Sequence, residues 1–165
     1  VLNDIASHQM AQFCYWTGQD PIPQFSRVGN LYHPEKPEFQ DFGDASFSGS
    51  GGTTGYLRVD WFTPKGLPSW GDVKQQLITT NAYVEHRKNL DIGDPEYKKK
   101  LIVTREDKET EIIDLGGRKA PFFERLTKDV EEGTDKAIPF ELGYKASKAI
   151  IELQRDSIRL VALSQ

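Results

Sequence analysis

Residues 55–62, Gly-Tyr-Leu-Arg-Val-Asp-Trp-Phe, alternate strictly between apolar and polar. That period of two places Leu57, Val59 and Trp61 on one face of a strand, and Tyr56, Arg58 and Asp60 on the other. A loop rich in Pro and Gly follows over 63–71, and the extended runs 73–79 and 82–90 come next. Runs 24–32 and 42–48 precede it and read as strands, joined to it by Gly49-Ser-Gly-Gly; runs 98–104 and 109–115 form a predicted hairpin around Glu106-Asp107-Lys108. A period of 3.6 occurs only at the ends of the chain. The first helix is predicted over 5–17, capped by Asn3 or Asp4 and stopped by Gly18 and the Pro21/Pro23 pair. Its apolar face is Ala6, Met10, Phe13 and Cys14, with Ile5 and Trp16 on the flanks. A second helix starts at Pro121 and runs to about Glu132, with Phe122, Leu126 and Val130 facing inward and Gly133 ending it. A third spans 140–163, its buried face made of Leu142, Ala146, Ala149, Ile150, Leu153, Ser157, Leu160 and Val161. Helix, many strands, then two helices is an α+β order. The expected architecture is a large, mostly antiparallel, open-faced sheet with helices packed on one face.

Composition narrows the function classes. The 165 residues are 37% hydrophobic and 28% charged, with a net charge of -4, which suits one soluble domain over residues 1–165. Lys and Arg are scattered, so neither nucleic acid nor a membrane surface is an expected partner. No apolar run is long enough to cross a bilayer. One cysteine permits a reducing compartment, and a cytoplasmic location is expected. The chain opens on Val-Leu-Asn-Asp-Ile without Met and reads as the interior of a larger protein, with any targeting segment expected upstream.

Candidate chemistry is sparse. No GxGxxG or GxxxxGK[ST] occurs, and a strand rather than a helix follows the glycines at 49–52, so a phosphate loop is not indicated. His33 and His86 read as solvated. His8 differs because Asp4 lies one helical turn earlier on the polar stripe Asp4, His8, Gln12, Tyr15. Such a pair can serve as general acid/base and orienting carboxylate, or as an ion pair or helix cap of purely structural value. No third ligand accompanies it, so no metal site is expected. Cys14 lies on the apolar face without a base beside it, so no nucleophile is expected there.

Asp4-Ile-Ala-Ser-His8-Gln resembles the Asp-x-x-x-His segment of the Gfo/Idh/MocA oxidoreductases, the glucose-fructose oxidoreductase and inositol dehydrogenase family. The resemblance extends through His33-Pro-Glu-Lys-Pro-Glu-Phe-Gln-Asp-Phe-Gly43, through residues 55–72 and 82–88, and into the closing helix. It covers nearly the whole chain but only the C-terminal half of such proteins, the N-terminal Rossmann half being absent. By this resemblance the full-length protein is an NAD(P)-dependent dehydrogenase acting on a sugar, polyol or related hydroxy compound. NAD or NADP would be bound by the N-terminal half, so this half alone would be inactive. His8 would exchange the substrate hydroxyl proton, and Asp4 would bind that hydroxyl or orient the imidazole. Glu35-Lys36-Pro37 spells the family's lysine signature but falls between two sheet strands, so Lys36 is expected to have no role. Tyr56, Arg58 and Asp60 could bind substrate. The preferred expectation is that their face joins copies in a homo-oligomer. The rival class is a non-catalytic sheet module for assembly or carbohydrate binding.

Overall fold

The computed structural model describes residues 1–94 and 99–161. Lys98 and Leu163, the expected ends of two elements, and Pro95 of a predicted loop lie outside that range. The fold is α+β, and its strands form two four-stranded sheets rather than one. The chain divides into two compact units, Val1–Phe62 with Pro121–Gln165, and Thr63–Ala120.

In the first unit a π-helical turn, Leu2–Ala6, runs into α1, Ser7–Thr17. The strands β1 (Pro21–Asn30), β2 (Phe42–Gly49) and β3 (Thr54–Asp60) follow. α2 (Phe122–Glu132), α3 (Phe140–Arg155) and β8 (Ile158–Val161) come from the end of the chain. The sheet order is β3-β2-β1-β8, antiparallel except that β8 runs parallel to β1. The turn, α1 and α3 cover one face. Leu2, Ala6, Met10, Phe13 and Cys14 meet Val28, Ala45, Phe47, Leu57 and Val59 of the sheet and Ala146, Ala149, Ile150 and Leu153 of α3. The Phe13 and Phe47 rings meet edge to face, with centroids 4.9 Å apart. Burial follows the predicted alternation, with Leu57 and Val59 inside and Tyr56 and Arg58 outside.

Four expectations need correction. The first helix begins at Leu2 with no side-chain cap from Asn3 or Asp4, because burying Leu2 beneath Ala6 and Met10 extends the helical stack by one turn. Trp61 is half-exposed, since β3 stops at Asp60 and the Trp61 amide instead donates to the Asp41 carbonyl at 2.9 Å. The last helix ends at Arg155, and Ile-Arg-Leu-Val pairs with the free edge of β1 from Arg27 to Asn30. Those residues fit either period, and the edge hydrogen bonds select the strand. Leu160 is therefore half-buried and Val161 exposed. Finally, Phe122, Leu126 and Val130 do not face the core. They are 36%, 41% and 78% exposed and line a shallow apolar groove with Thr134, Asp135 and Ile138. An amphipathic stripe announces that a partner surface is needed, not where it lies.

The second unit holds β4 (Lys74–Ile78), β5 (Ala82–Arg87), β6 (Lys100–Arg105) and β7 (Lys108–Asp114), all antiparallel and in sequence order. The predicted β6–β7 hairpin forms, but its turn is one residue shorter than expected: Lys108 pairs with Arg105 instead of lying in the turn. Among the described residues of this unit, Leu90 and Val103 are the buried hydrophobic ones. The Lys100 ammonium is also buried, 2.8 Å from both Asp91 Oδ2 and Asp94 Oδ2.

Candidate functional site

The residues singled out in sequence occupy two faces of the first unit. Asp4 sits in the π-helical turn and His8 in the first turn of α1, both exposed. The buried side chains of Leu2, Ala6 and Met10 hold this segment on the core and leave the polar stripe outward. Two long-range bonds fix its start: the Val1 nitrogen donates to Gln40 Oε1 at 2.9 Å and the Leu2 amide to Gln154 Oε1 at 3.3 Å. Gly43 lies directly beneath, where a Cβ would stand 2.7 Å from Val1 Cγ1 and 3.0 Å from Leu2 Cδ2, so glycine is what admits the turn. The Ser7 hydroxyl donates to the Asp4 carbonyl at 2.6 Å. Among the described residues no hydrogen bond or ion pair joins the Asp4 and His8 side chains. Next to His8, the Gln9 Oε1 is buried without a hydrogen-bond partner, an unusual state for an acceptor.

Tyr56, Arg58 and Asp60 share the uncovered face of the sheet with their register partners Ser46, Asp44 and Phe42. Arg27, paired with Asp44 from the other side, completes a network that local sequence could not announce, because it depends on strand register. Arg27 Nε donates to Asp44 Oδ1 at 3.0 Å, its Nη2 contacts Asp44 Oδ2, and the Tyr56 hydroxyl donates to Oδ2 at 3.2 Å. Arg58 Nε donates to Asp60 Oδ2 at 2.9 Å, and its guanidinium lies 5.2 Å from the Phe42 ring centroid. The Arg27 hydrogen bond holds the Asp44 carboxyl below its ordinary range, against the opposing effect of burial. Burial, then Asp44, pushes the Tyr56 phenol up. Asp44 and Asp60 are thus already paired, and Tyr56 and Phe25 leave wide aromatic surface at 65% and 45% exposure. Such a flat face, aromatic and internally neutralised, is suited to contact with another surface.

A third cluster was not foreseen, because His33 and Asp41 are eight residues apart across a loop containing Pro34 and Pro37. Asp41 is fully buried. Its Oδ1 accepts the Leu31 amide at 2.8 Å, and its Oδ2 accepts the Tyr32 amide at 2.8 Å and His33 Nδ1 at 3.0 Å. Burial would raise the Asp41 carboxyl, but the two amides and the imidazole outweigh it and hold the group below its ordinary value. Asn30 closes the same loop, its Nδ2 donating to the carbonyls of His33 and Lys36 at 2.7 and 2.6 Å. The side chain of Lys36 is exposed.

The glycines at 49–52 make the hairpin turn between β2 and β3, with the Gln19 side chain packed against Gly49 and Gly51. No helix N-terminus follows them to face a pyrophosphate.

No protein-family profile and no curated protein matches the chain. Solved structures do. A protein designated an oxidoreductase from Erwinia carotovora atroseptica SCRI1043 superposes with a TM-score of 0.92 at 34% identity, over 98% of this chain and 48% of that one. UDP-N-acetylglucosamine 3-dehydrogenase GnnA from Acidithiobacillus ferrooxidans gives 0.72 at 14% identity, over 95% and 47%. KijD10, a 3-ketoreductase from Actinomadura kijaniata solved with NADP, gives 0.68 at 11% identity, again over 95% and 47%. The last two likenesses concern the fold alone. The chain spans about half the length of each of these structures.

Proposed function

We infer, for a chain that belongs to the Gfo/Idh/MocA oxidoreductases and corresponds to their C-terminal domain, that it is the substrate-side and assembly half of an NAD(P)-dependent dehydrogenase. The observation that carries this reading is the 0.92 superposition on an oxidoreductase along 98% of the chain. The substrate class is a sugar, polyol or related hydroxy compound, a choice supported by the sugar-nucleotide dehydrogenase among the similar folds. NAD or NADP is held by the other half of the protein, and this half alone is inactive.

His8 is the group that takes or returns the proton of the reacting hydroxyl, and Asp4 binds that hydroxyl or orients the ring. Their exposure is the geometry such a role requires, because both side chains must reach a substrate outside this domain. The exposed carboxylate and imidazole have no bond to each other, which leaves both free to meet the same hydroxyl. The face bearing Tyr56, Arg58 and Asp60 joins copies of the protein in a homo-oligomer. Its charges pair within the sheet, so association buries aromatic surface without stranding an ion.

The test is turnover of the full-length protein with NAD or NADP. His8→Ala is expected to lower kcat/KM by about 10²- to 10⁴-fold, the usual contribution of a general acid/base, without moving the melting temperature. Undiminished turnover would overturn the assignment and favour a non-catalytic sheet module.

A further inference from the structure

We propose that His33, held by Asp41 and flanked by Tyr32, forms a binding site for a polyhydroxylated sugar ring. The ring stacks on the Tyr32 face, and one of its hydroxyls donates to His33 Nε2. For the ligand class this deepens the reading above and rests on it, but it assigns residues on a different loop.

The geometry separates this histidine from an ordinary loop residue. Asp41 is 0% exposed, and the two backbone amides it accepts already tie the end of β1 to the start of β2. The imidazole is therefore an addition to a closed loop. In the tautomer that carries its proton on Nδ1 and donates it to Asp41, the ring presents a lone pair at Nε2. Nε2 has no partner among the described residues. The ring cannot swing away, since Tyr32 and Phe39 both meet it edge-on with centroids 5.4 Å off, at interplanar angles of 87° and 81°. A polar atom fixed by packing and by a carboxylate behind it is how binding sites are held to tolerance.

The surroundings select the ligand. Tyr32, its ring centroid 5.4 Å from that of His33, leaves 74% of its surface open. Trp61, its ring 5.9 Å from Phe39, extends the aromatic floor, and Phe62 lies 6.5 Å from Tyr32. Broad aromatic faces with one or two fixed polar atoms suit a ring that is apolar on its C–H face and hydroxylated at its rim. An anion is disfavoured, because the buried Asp41 carboxylate lies directly behind the imidazole, 3.0 Å from Nδ1.

The experiment is an NMR titration of the isotope-labelled chain with D-glucose, with UDP-N-acetylglucosamine, and with UDP as control. Both sugar-bearing probes are expected to shift the Tyr32 and His33 signals saturably, including the His33 Nε2 resonance, and UDP to leave them in place. Tyr32→Ala and His33→Ala should each weaken binding at least tenfold. Tyr32→Ala serves where the His33 change loosens the loop, because the Tyr32 side chain lies on the surface. No saturable shift with either sugar probe, unchanged affinity in Tyr32→Ala, or UDP binding as well as its sugar conjugate would overturn the proposal. The outcome is distinguishable from that of the His8 assay, which reads turnover in the full-length protein rather than binding to this chain.

Discussion

The two units solve the same sheet problem differently. In the first, helices cover one face of β3-β2-β1-β8, and the alternation in sequence becomes a sharp inside and outside. In the second, no helix occurs among the described residues of Thr63–Ala120, and all six residues of β5 are half-buried. What a core does for the first unit, charge pairing does in part for the second: Lys100 holds Asp91 and Asp94, while Arg87 bonds Glu85 and Asp91. The lesson is that period-two patterning specifies a strand, whereas a buried face comes from what the rest of the chain lays over it.

Truncating the two interiors is the strongest way to break this contrast. Ile150→Ala, at a side chain 1% exposed beneath the first sheet, is expected to cost about 2–5 kcal/mol in denaturant unfolding. Val103→Ala in the second should cost only about 1–2 kcal/mol, at about 0.8 kcal/mol per buried methylene. Equal losses would show that the second sheet has as firm a core as the first. Gly43→Ala comes next. Its Cβ must displace the Val1 and Leu2 side chains, so a loss of about 1–3 kcal/mol is expected, with reduced turnover in the full-length protein because the moved turn carries Asp4.

Acid titration sharpens the comparison further. Burial and then Lys88 depress the His86 pKa below 6.5. The unfolded chain therefore takes up that proton first, and the second sheet loses stability as pH falls from about 6.5 toward the folded value. Asp41 and Asp44 have folded values below 3.8, so their contribution is complete above 3.8 and is lost only as pH falls through that lower window. Hydrogen exchange by strand should show β5 protection declining before that of β2. His86→Asn should remove the earlier phase and Asp44→Asn should diminish the later one, leaving the part due to Asp41, and a single coincident transition would contradict both. The smallest effect is expected at Lys36: replacement by Ala should alter stability by no more than about 0.5 kcal/mol and leave turnover unchanged.

Particular residues show how much was legible beforehand. Ala6, Met10, Phe13 and Cys14 were readable as core because helical spacing is local information, and so were Leu57 and Val59. The Asp4–His8 spacing was readable for the same reason, though it carried no hydrogen bond between the two. Asp44 with Arg27 and Tyr56, and Asp41 with His33, were not readable, since strand register and a loop's closure set them.

By itself, then, the sequence determined the α+β order, the strand faces and the histidine on the exposed stripe of the first helix, because each follows from periodicities of two and 3.6. Tertiary structure decided that Ile158–Val161 would leave the last helix and join β1, that α2 would keep its apolar stripe exposed, and that His33 rather than His8 would receive a buried carboxylate. The reason in each case is competition between distant partners. A free strand edge, an uncovered groove and a buried carboxyl group exist only after the chain has folded.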